Sequence, residues 1–324
     1  MSRGAIALVL AVAAGSMVLG LSAGSVPLGL SEVWDGLRRP GAPASVIVRD
    51  LRVPRVLLAF LVGGSLSVCG AALQAMIRNP LAEPYLLGLS GGAGLGAVIA
   101  LASRSAGPWS VPVAAFLGAL AAVGLVYRLS MVAGRRLDPR VLLLSGVVVG
   151  SFAGALMSAI IVLSDAPTVR NAFLWLLGGF GAASWTALLI FAAYAVLPLG
   201  AIGLSARSLD LIALGEEPAH HLGADVDRTR RLVYLCTALL TAASVAACGI
   251  IGFVGLVVPH AVRTFARPLH RTLLPLVFAG GGSFLVLADV VSRTLVRPLE
   301  LPVGVITALV GVPIFALLLR RSVA

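Results

Sequence analysis

Residues 54–77 read PRVLLAFLVGGSLSVCGAALQAMI, an apolar stretch whose one charged residue is Arg55. A helix that spans the hydrocarbon core of a bilayer needs about 20 predominantly apolar residues, so this stretch can cross a membrane. The whole chain has the same character, because 59% of its 324 residues are hydrophobic and 11% are charged. Soluble domains carry about 25% charged residues. The sequence therefore predicts an all-α, polytopic membrane protein.

Similar apolar segments recur along the chain, which is interpreted as one transmembrane domain, 1–324. The first has features of a signal peptide but is long for one, and an uncleaved helix is favoured. The eighth is short and rich in glycine and proline, so we expect it to be broken or to span only in part. A further apolar piece, 171–177, is too short to span and is expected to be re-entrant or interfacial. The ten predicted spans are 4–24, 54–77, 86–102, 111–130, 140–163, 185–206, 229–248, 250–262, 272–292 and 303–320.

The arginines give the orientation. All 24 basic residues are arginine, and with a cytoplasmic N-terminus 15 of them fall on the cytoplasmic side of the ten spans. This excess agrees with the positive-inside rule and predicts that both termini are cytoplasmic. The net charge of +11 does not indicate nucleic-acid binding, because no basic run with interleaved aromatic residues accompanies it.

One polar segment interrupts the apolar pattern between the sixth and seventh spans. Residues 211–223 read LIALGEEPAHHLG, with two acids, two histidines, two glycines and a proline. Such a segment cannot cross a bilayer, since its charges and free backbone groups would go unsatisfied there. The arginine distribution places it in the cytoplasm. It is predicted to be a surface that docks another protein.

Small residues form a stripe along the fifth span. Gly146, Gly150, Gly154 and Ser158 recur every four residues, and Ser145 adds a hydroxyl nearby. Small residues let helix backbones approach one another in lipid, which is the favoured interpretation. The alternative is that the stripe forms a wall of a transport path.

Residues able to carry chemistry are few. The chain has no GxxxxGK[ST] motif for a nucleotide phosphate, and its cysteines and histidines form no metal-binding pattern. Asp289 is the one acid within a predicted span, and its i,i+4 spacing allows it to pair with Arg293. Arg52 and Arg55 flank Pro54 at the predicted outer mouth. They are either interfacial anchors or, because arginine binds carboxylates in a bidentate manner, a docking site for an acidic partner.

Several stretches together resemble the FecCD-type permeases, the membrane subunits of ABC importers for iron-siderophores, haem and cobalamin. They follow the family's order over nearly the whole chain. The stretches are LRVPRVLLAFLVGGSLSVCGAALQAMIRNPLAEPYLLGLSGGAGLGA (51–97), LLLSGVVVG (142–150), LWLLGGFG (174–181), LIALGEEPAHHLG (211–223), GFVGLVVPHAVR (252–263), LADVVSR (287–293) and ELPVGVITALVGVPIFALLL (300–319).

The resemblance implies a homodimer in a bacterial inner membrane, with the path between its two subunits. Two ATP-binding cassette subunits would dock on the cytoplasmic side and bind ATP and magnesium, so this subunit would need no cofactor or metal and would catalyse no reaction. A periplasmic or lipid-anchored binding protein would dock outside. The lipid bilayer is the remaining partner, and nucleic acid is not one.

The resemblance also assigns residues. A cytoplasmic coupling loop, about 207–228, would form two short helices that contact the ATPase through Leu214, Gly215, Glu216, Glu217, Ala219, Leu222 and Gly223. The binding protein would dock on Arg52, Arg55 and Arg293. An inner gate matches Leu137, Asp138 and Pro139, and the path would run along Ser145, Gly146, Gly150, Gly154 and Ser158.

Two other classes of function remain open from the residues alone. An ion-coupled secondary transporter usually keeps ionisable groups at mid-membrane, where this sequence has few. A membrane scaffold or receptor subunit would not need a stripe of small residues or two docking faces. Within the importer class, ferric siderophore is the expected cargo, with haem and cobalamin as alternatives.

Overall fold

The computed structural model describes residues 3–104, 107–134, 138–265 and 269–323, and these are helical with short connections. A π-helical turn, Ile47–Arg52, leads into the third helix, and a 3-10 turn, Pro84–Leu87, precedes the fourth. The α-helices are α1 Arg3–Ser22, α2 Leu30–Arg38, α3 Val53–Ile77, α4 Leu89–Ala102, α5 Ser110–Gly134, α6 Pro139–Val162, α7 Ala166–Leu176, α8 Trp185–Leu204, α9 Ala206–Leu214, α10 Glu216–His221, α11 Val226–Cys248, α12 Val254–Phe265, α13 His270–Thr294 and α14 Val303–Val323.

Each predicted span overlaps one of these helices, and the all-α membrane class is confirmed. Within the described ranges, six helical segments are long and apolar enough to cross a membrane. They are Ile47–Ile77, Ser110–Val132, Pro139–Val162, Trp185–Leu204, Val226–Cys248 and His270–Thr294. Shorter apolar helices cover Ile6–Ser22, Leu89–Ala102 and Val303–Leu317.

Differences from the predicted boundaries lie where loops fold against the bundle. The eighth predicted span, 250–262, is non-helical up to Phe253, and α12 begins at Val254. The short piece 171–177 belongs to a longer helix, α7, which Asp165 caps by accepting the Thr168 N–H. Helix α2 has no counterpart among the predicted elements, because its polar, tryptophan-containing sequence lacks the length of a span.

Helix α3 lies at the centre of the bundle, with 83% of its most apolar window buried. It packs against α11, α12 and α13. Glycines make these contacts close: a Cβ added to Gly70 would lie 1.8 Å from the carbonyl oxygen of Gly255, and one added to Gly63 would lie 2.2 Å from that of Gly281. Helix backbones can approach this closely only where side chains are absent.

Candidate functional site

The coupling loop folds into two short helices, α9 and α10, with Gly215 between them. Gly215 has φ +132, a backbone conformation that residues with a Cβ rarely adopt. This sharp break ends α9 after Leu214 and starts α10 at Glu216. Asp225 then caps α11 by accepting the backbone N–H of Arg228 at 3.0 Å. The loop is therefore an ordered surface with a defined shape.

The loop has a buried face and an exposed face. Ala219 is fully buried and packs with Ile212, Ala224 and Val226 in a small apolar cluster of its own. On the other side, Leu214 is 68% exposed and Leu222 is 56% exposed. Glu217, Gly223 and both histidines, His220 and His221, are exposed as well. The exposed face thus combines two leucines with an acid, a composition suited to contact with another protein.

The adjacent acids Glu216 and Glu217 have different surroundings. Glu216 accepts a short hydrogen bond from the Arg230 guanidinium, whose side chain is 5% exposed. That hydrogen bond and the charges of Arg230 and Arg78 hold the pKa of the Glu216 carboxyl below its usual value. Glu216 therefore binds α11, whereas Glu217 faces water. Of the residues predicted for the ATPase contact, Gly215 and Ala219 are buried.

At the predicted outer end, Arg52 does not face outward as predicted. Its side chain is only 5% exposed. It donates to the carbonyl oxygens of Leu21 at 2.6 Å and Ser22 at 2.8 Å, and also to that of Val26. These are free carbonyls at and beyond the end of α1, which need donors. Arg52 is thus an internal anchor for the end of the first helix.

Arg293 is likewise buried, contrary to the prediction that it faces outward. It is 4% exposed, and its Nη2 donates to the carbonyl oxygen of Gly20 at 2.6 Å. Its Nε lies 3.3 Å from Oδ2 of Asp289, which confirms the predicted i,i+4 pair. Asp289 is itself almost fully buried. A buried charge needs a partner of this kind to offset its loss of hydration.

Arg55 binds both the buried Asp289 and the more exposed Glu300. Its guanidinium binds Asp289 with Nη2–Oδ1 at 2.8 Å and Glu300 with Nη2–Oε2 at 2.9 Å. The Arg55 side chain is 13% exposed, whereas that of Glu300 is 41% exposed. We call Arg52, Arg55, Asp289, Arg293 and Glu300 the outer arginine cluster. The Glu300 carboxylate is more exposed than the Arg55 guanidinium that it binds.

The small-residue stripe of α6 divides into two parts. A Cβ on Gly146 would lie 2.2 Å from the carbonyl oxygen of Leu86, and one on Gly150 would lie 3.6 Å from Gly88. No described atom lies within 4 Å of a Cβ on Gly154. Ser158 is exposed and donates to the Gly154 carbonyl. The beginning of the stripe therefore packs inside the chain, and its end forms open surface.

The residues predicted for the inner gate lie at the start of α6. Asp138 accepts the backbone N–H of Arg140 at 2.7 Å and so caps this helix, with Pro139 as its first residue. Ser145, one of the predicted path residues, is buried. Leu137 lies outside the described residues. The local role of Asp138 is that of a helix cap.

Sequence reasoning missed a carboxylate beside the middle of α3. Oε1 of Glu83 accepts the backbone N–H of Phe253 at 2.5 Å, just before α12 begins. Gly255, two residues after Phe253, packs against the middle of α3. A Cβ added to Gly255 would lie 2.8 Å from the carbonyl oxygen of Leu66. Glu83 lies between Pro80 and Pro84 in the linker between the second and third predicted spans. An acid flanked by prolines was the one signal that this linker folds inward.

Comparison with known proteins agrees with this architecture. The chain is 45% identical over 279 residues to the cobalamin import system permease protein BtuC of Halobacterium salinarum, covering 86% of this chain and 74% of that one. It is 41% identical over 285 residues to the hemin transport system permease protein HmuU of Yersinia pestis, covering 84% and 83%.

A solved structure shares the fold. It is described as an inward-facing conformation of a metal-chelate type ABC transporter, with 28% sequence identity, a TM-score of 0.86 and 97% of each chain covered. The model of the FecCD transport family matches residues 9–321. With that match over almost the whole length, the chain belongs to the FecCD transport family.

Proposed function

We propose that this chain is the permease subunit of an ATP-driven ABC importer that carries a metal chelate across a bacterial inner membrane. The observation that carries the proposal is the exposed face of the coupling loop. In a chain with 11% charged residues, Leu214, Glu217 and Leu222 are each exposed on an ordered two-helix segment. A separate ATPase would bind there and supply ATP and magnesium.

The proposed assembly is a homodimer of ten-span subunits with cytoplasmic termini. The described chain supports it with an uncovered apolar face on α6, where Leu144 is 66% exposed and Phe152 is 63% exposed. Val147 and Val148 are exposed on the same helix. Such an apolar face would contact lipid, the transport path or a second copy of the chain. Gly154 and Ser158, which lie in open space on this helix, would line the path.

The proposed mechanism is alternating access without covalent chemistry. ATP binding would bring the two ATPase subunits together and move the coupling loops. The start of α6, capped by Asp138, would shift with them and open or close the inner end of the path. A large chelate needs a wide passage, and the small residues of α6 leave room for one.

The ion-coupled alternative finds little support among the described acids. Asp289 is held by two arginines, Arg55 and Arg293, at 2.8 Å and 3.3 Å. Glu83 accepts a backbone N–H at 2.5 Å. A proton carrier must exchange its proton during the cycle, and each of these carboxylates instead has fixed partners within the fold.

The proposed cargo is a ferric siderophore, with haem and cobalamin as the alternatives to be tested beside it. The relatives named above carry cobalamin and hemin in their names at 45% and 41% identity. The chain is thus almost equally similar to a relative named for cobalamin and to one named for hemin. Recognition would be delegated largely to the binding protein.

The test is purification of the tagged chain with its co-expressed neighbouring ATPase, followed by reconstitution in proteoliposomes with the binding protein. Uptake of ferrichrome, haem and cyanocobalamin would be measured with and without internal ATP. We expect an ATPase to copurify and one chelate to accumulate only with ATP. Uptake that persists without the ATPase would overturn the proposal.

A further inference from the structure

Each helix of the coupling loop is joined by an acidic side chain to a different long helix of the bundle. Asp210 of α9 reaches the start of α13, and Glu216 of α10 reaches the start of α11. Both long helices pack against α3 at the centre of the bundle. The loop is thus connected to the core at two separate points.

The first connection is made by one carboxylate oxygen. Oδ1 of Asp210 accepts the backbone N–H of His270 at 3.0 Å and lies 2.6 Å from Nδ1 of the same residue. The backbone contact provides an acceptor for a free N–H at the beginning of α13. His270 is buried, and its Nε2 has no hydrogen-bond partner among the described residues. The Asp210 contact therefore fixes both the ring and the end of the helix.

The second connection is the ion pair of Glu216 with Arg230. Arg230 is buried, and its Nε has no partner among the described atoms, so Glu216 is the acid that offsets its charge. Arg78, at the end of α3, approaches from the other side. Its Nη1 lies 3.8 Å from the position that a Cβ on Gly215 would occupy. Removing one partner of a buried pair leaves an uncompensated charge, which is costly.

Between the two connections the loop has its own apolar contacts. Ile212 and Ala219 are fully buried against Val226, the first residue of α11. α9 and α10 therefore pack on each other and cannot move independently without exposing this cluster. Leu214, Leu222 and Glu217 lie outside this buried cluster and are exposed.

We infer that Asp210–His270 and Glu216–Arg230 are positioning contacts that transmit movement of the coupling loop to α13 and α11, whereas Glu217, Leu214 and Leu222 form the contact with the ATPase. This inference rests on the proposed function. Among the acids of α9 and α10, it assigns Glu217 to the partner and Asp210 and Glu216 to holding the loop against the bundle. ATPase attachment and transport coupling should therefore respond to different substitutions.

The variants remove the charges with nearly isosteric side chains or exchange the members of one pair. Asp210→Asn and Glu216→Gln remove the charges, and Arg230→Glu with Glu216→Arg exchanges the partners of one pair. Arg228→Gln, two residues from Arg230 and exposed, is the matched control. Each would be purified with the co-expressed ATPase and reconstituted with the binding protein. The readouts are the amount of ATPase bound and the ratio of stimulated to basal ATP hydrolysis.

We expect the Asp210→Asn, Glu216→Gln double variant to retain the ATPase and to lose stimulation at least about tenfold. The exchanged pair should regain most of the stimulation that Glu216→Arg alone loses. Arg228→Gln should behave as wild type. Full stimulation in the double variant, or loss of the ATPase itself, would overturn the inference.

Hydrogen–deuterium exchange on the purified chain without ATPase gives an independent readout. The double variant should exchange faster than wild type in 216–223 and at the start of α13, and unchanged exchange would contradict the anchoring. If no ATPase copurifies with the wild-type chain, the proposed function fails, while exchange still decides whether the two pairs hold the loop.

Discussion

The outer arginine cluster and the coupling loop use charged residues in opposite ways. The three outer arginines were expected to face water and have side chains 4–13% exposed, all engaged by acceptors of the same chain. In the coupling loop, Glu217 and two leucines remain in the open, while the partly exposed Glu216 is bound to the buried Arg230. Residue type and topology indicate on which side of the membrane a charge lies. The neighbouring backbone and acids decide whether it is free to bind a partner.

The difference has a local cause at each end. The end of α1 leaves carbonyl oxygens without intrahelical donors, and Arg52 and Arg293 supply the missing hydrogens. In the coupling loop, Asp225 caps α11, whereas neither α9 nor α10 has a side-chain cap. The side chains of Leu214, Glu217 and Leu222 are exposed.

The largest effect is expected from Asp289→Ala, which leaves Arg293 and Arg55 without their shared acid. Loss of one partner from a buried pair costs about 3–5 kcal/mol in free energy of unfolding. Thermal unfolding of the purified chain in detergent would measure it. Asp35→Ala is the control, since its 4.0 Å pair with Arg39 is exposed and should change stability by less than about 1 kcal/mol. Equal effects at both sites would contradict the internal role of the cluster.

Glu217→Arg should weaken ATPase binding at least about tenfold, or about 1.4 kcal/mol, without changing the melting temperature. The side chain faces water, so its reversal affects a partner and leaves the fold intact. Titration of labelled ATPase onto the chain in nanodiscs provides the affinity. Asp50→Arg, exposed at the predicted outer end, is the control and should have no effect. Unaltered affinity for Glu217→Arg would remove this residue from the contact.

Glu300→Gln should strengthen docking of the binding protein about two- to fivefold, the effect of losing one partly exposed ion pair. The substitution removes the internal competitor for Arg55, which keeps Asp289 as a partner. Surface plasmon resonance with immobilised nanodiscs would measure the affinity. A decrease would instead identify the Glu300 carboxylate as a docking group in its own right. Either result shows which member of the outer arginine cluster meets the partner.

The smallest expected effect is a pH dependence of loop attachment. The pKa of Glu216 is lowered, chiefly by the hydrogen bond from Arg230, with Arg78 acting in the same direction and Asp138 opposing them. A lowered folded-state pKa means that the stabilisation is present above 4.5 and is lost as the pH falls through the folded pKa. Protection of 216–221 from hydrogen exchange, corrected for intrinsic rates, should fall in that range. In the Glu216→Gln variant, this protection should not change with pH. If protection falls equally in the wild type and the variant, the Glu216 carboxyl is excluded as the cause.

Much of the architecture follows from apolar length and small-residue spacing. The apolar segment around 54–77 forms a helix long enough to span a membrane. Other helix backbones approach this helix at Gly63 and Gly70. The polar segment 211–223 interrupts the spans as two short helices. These features are local, so sequence alone can indicate them. The inward-folding linker at Glu83 was missed because its partner, Phe253, is far along the chain.

By itself, the sequence determined the all-α class of the protein, the approximate places of its long apolar helices and the break at the polar segment 211–223, because hydrophobic length and turn residues act over short distances. It also carried the motifs of the FecCD transport family. Only the tertiary structure decided that Arg52 and Arg293 are buried, that Glu300 pairs with Arg55, and that Glu216 pairs with Arg230 while Glu217 is exposed. Those outcomes depend on which distant carbonyl or carboxylate comes within hydrogen-bonding distance, which is a property of the packed helices.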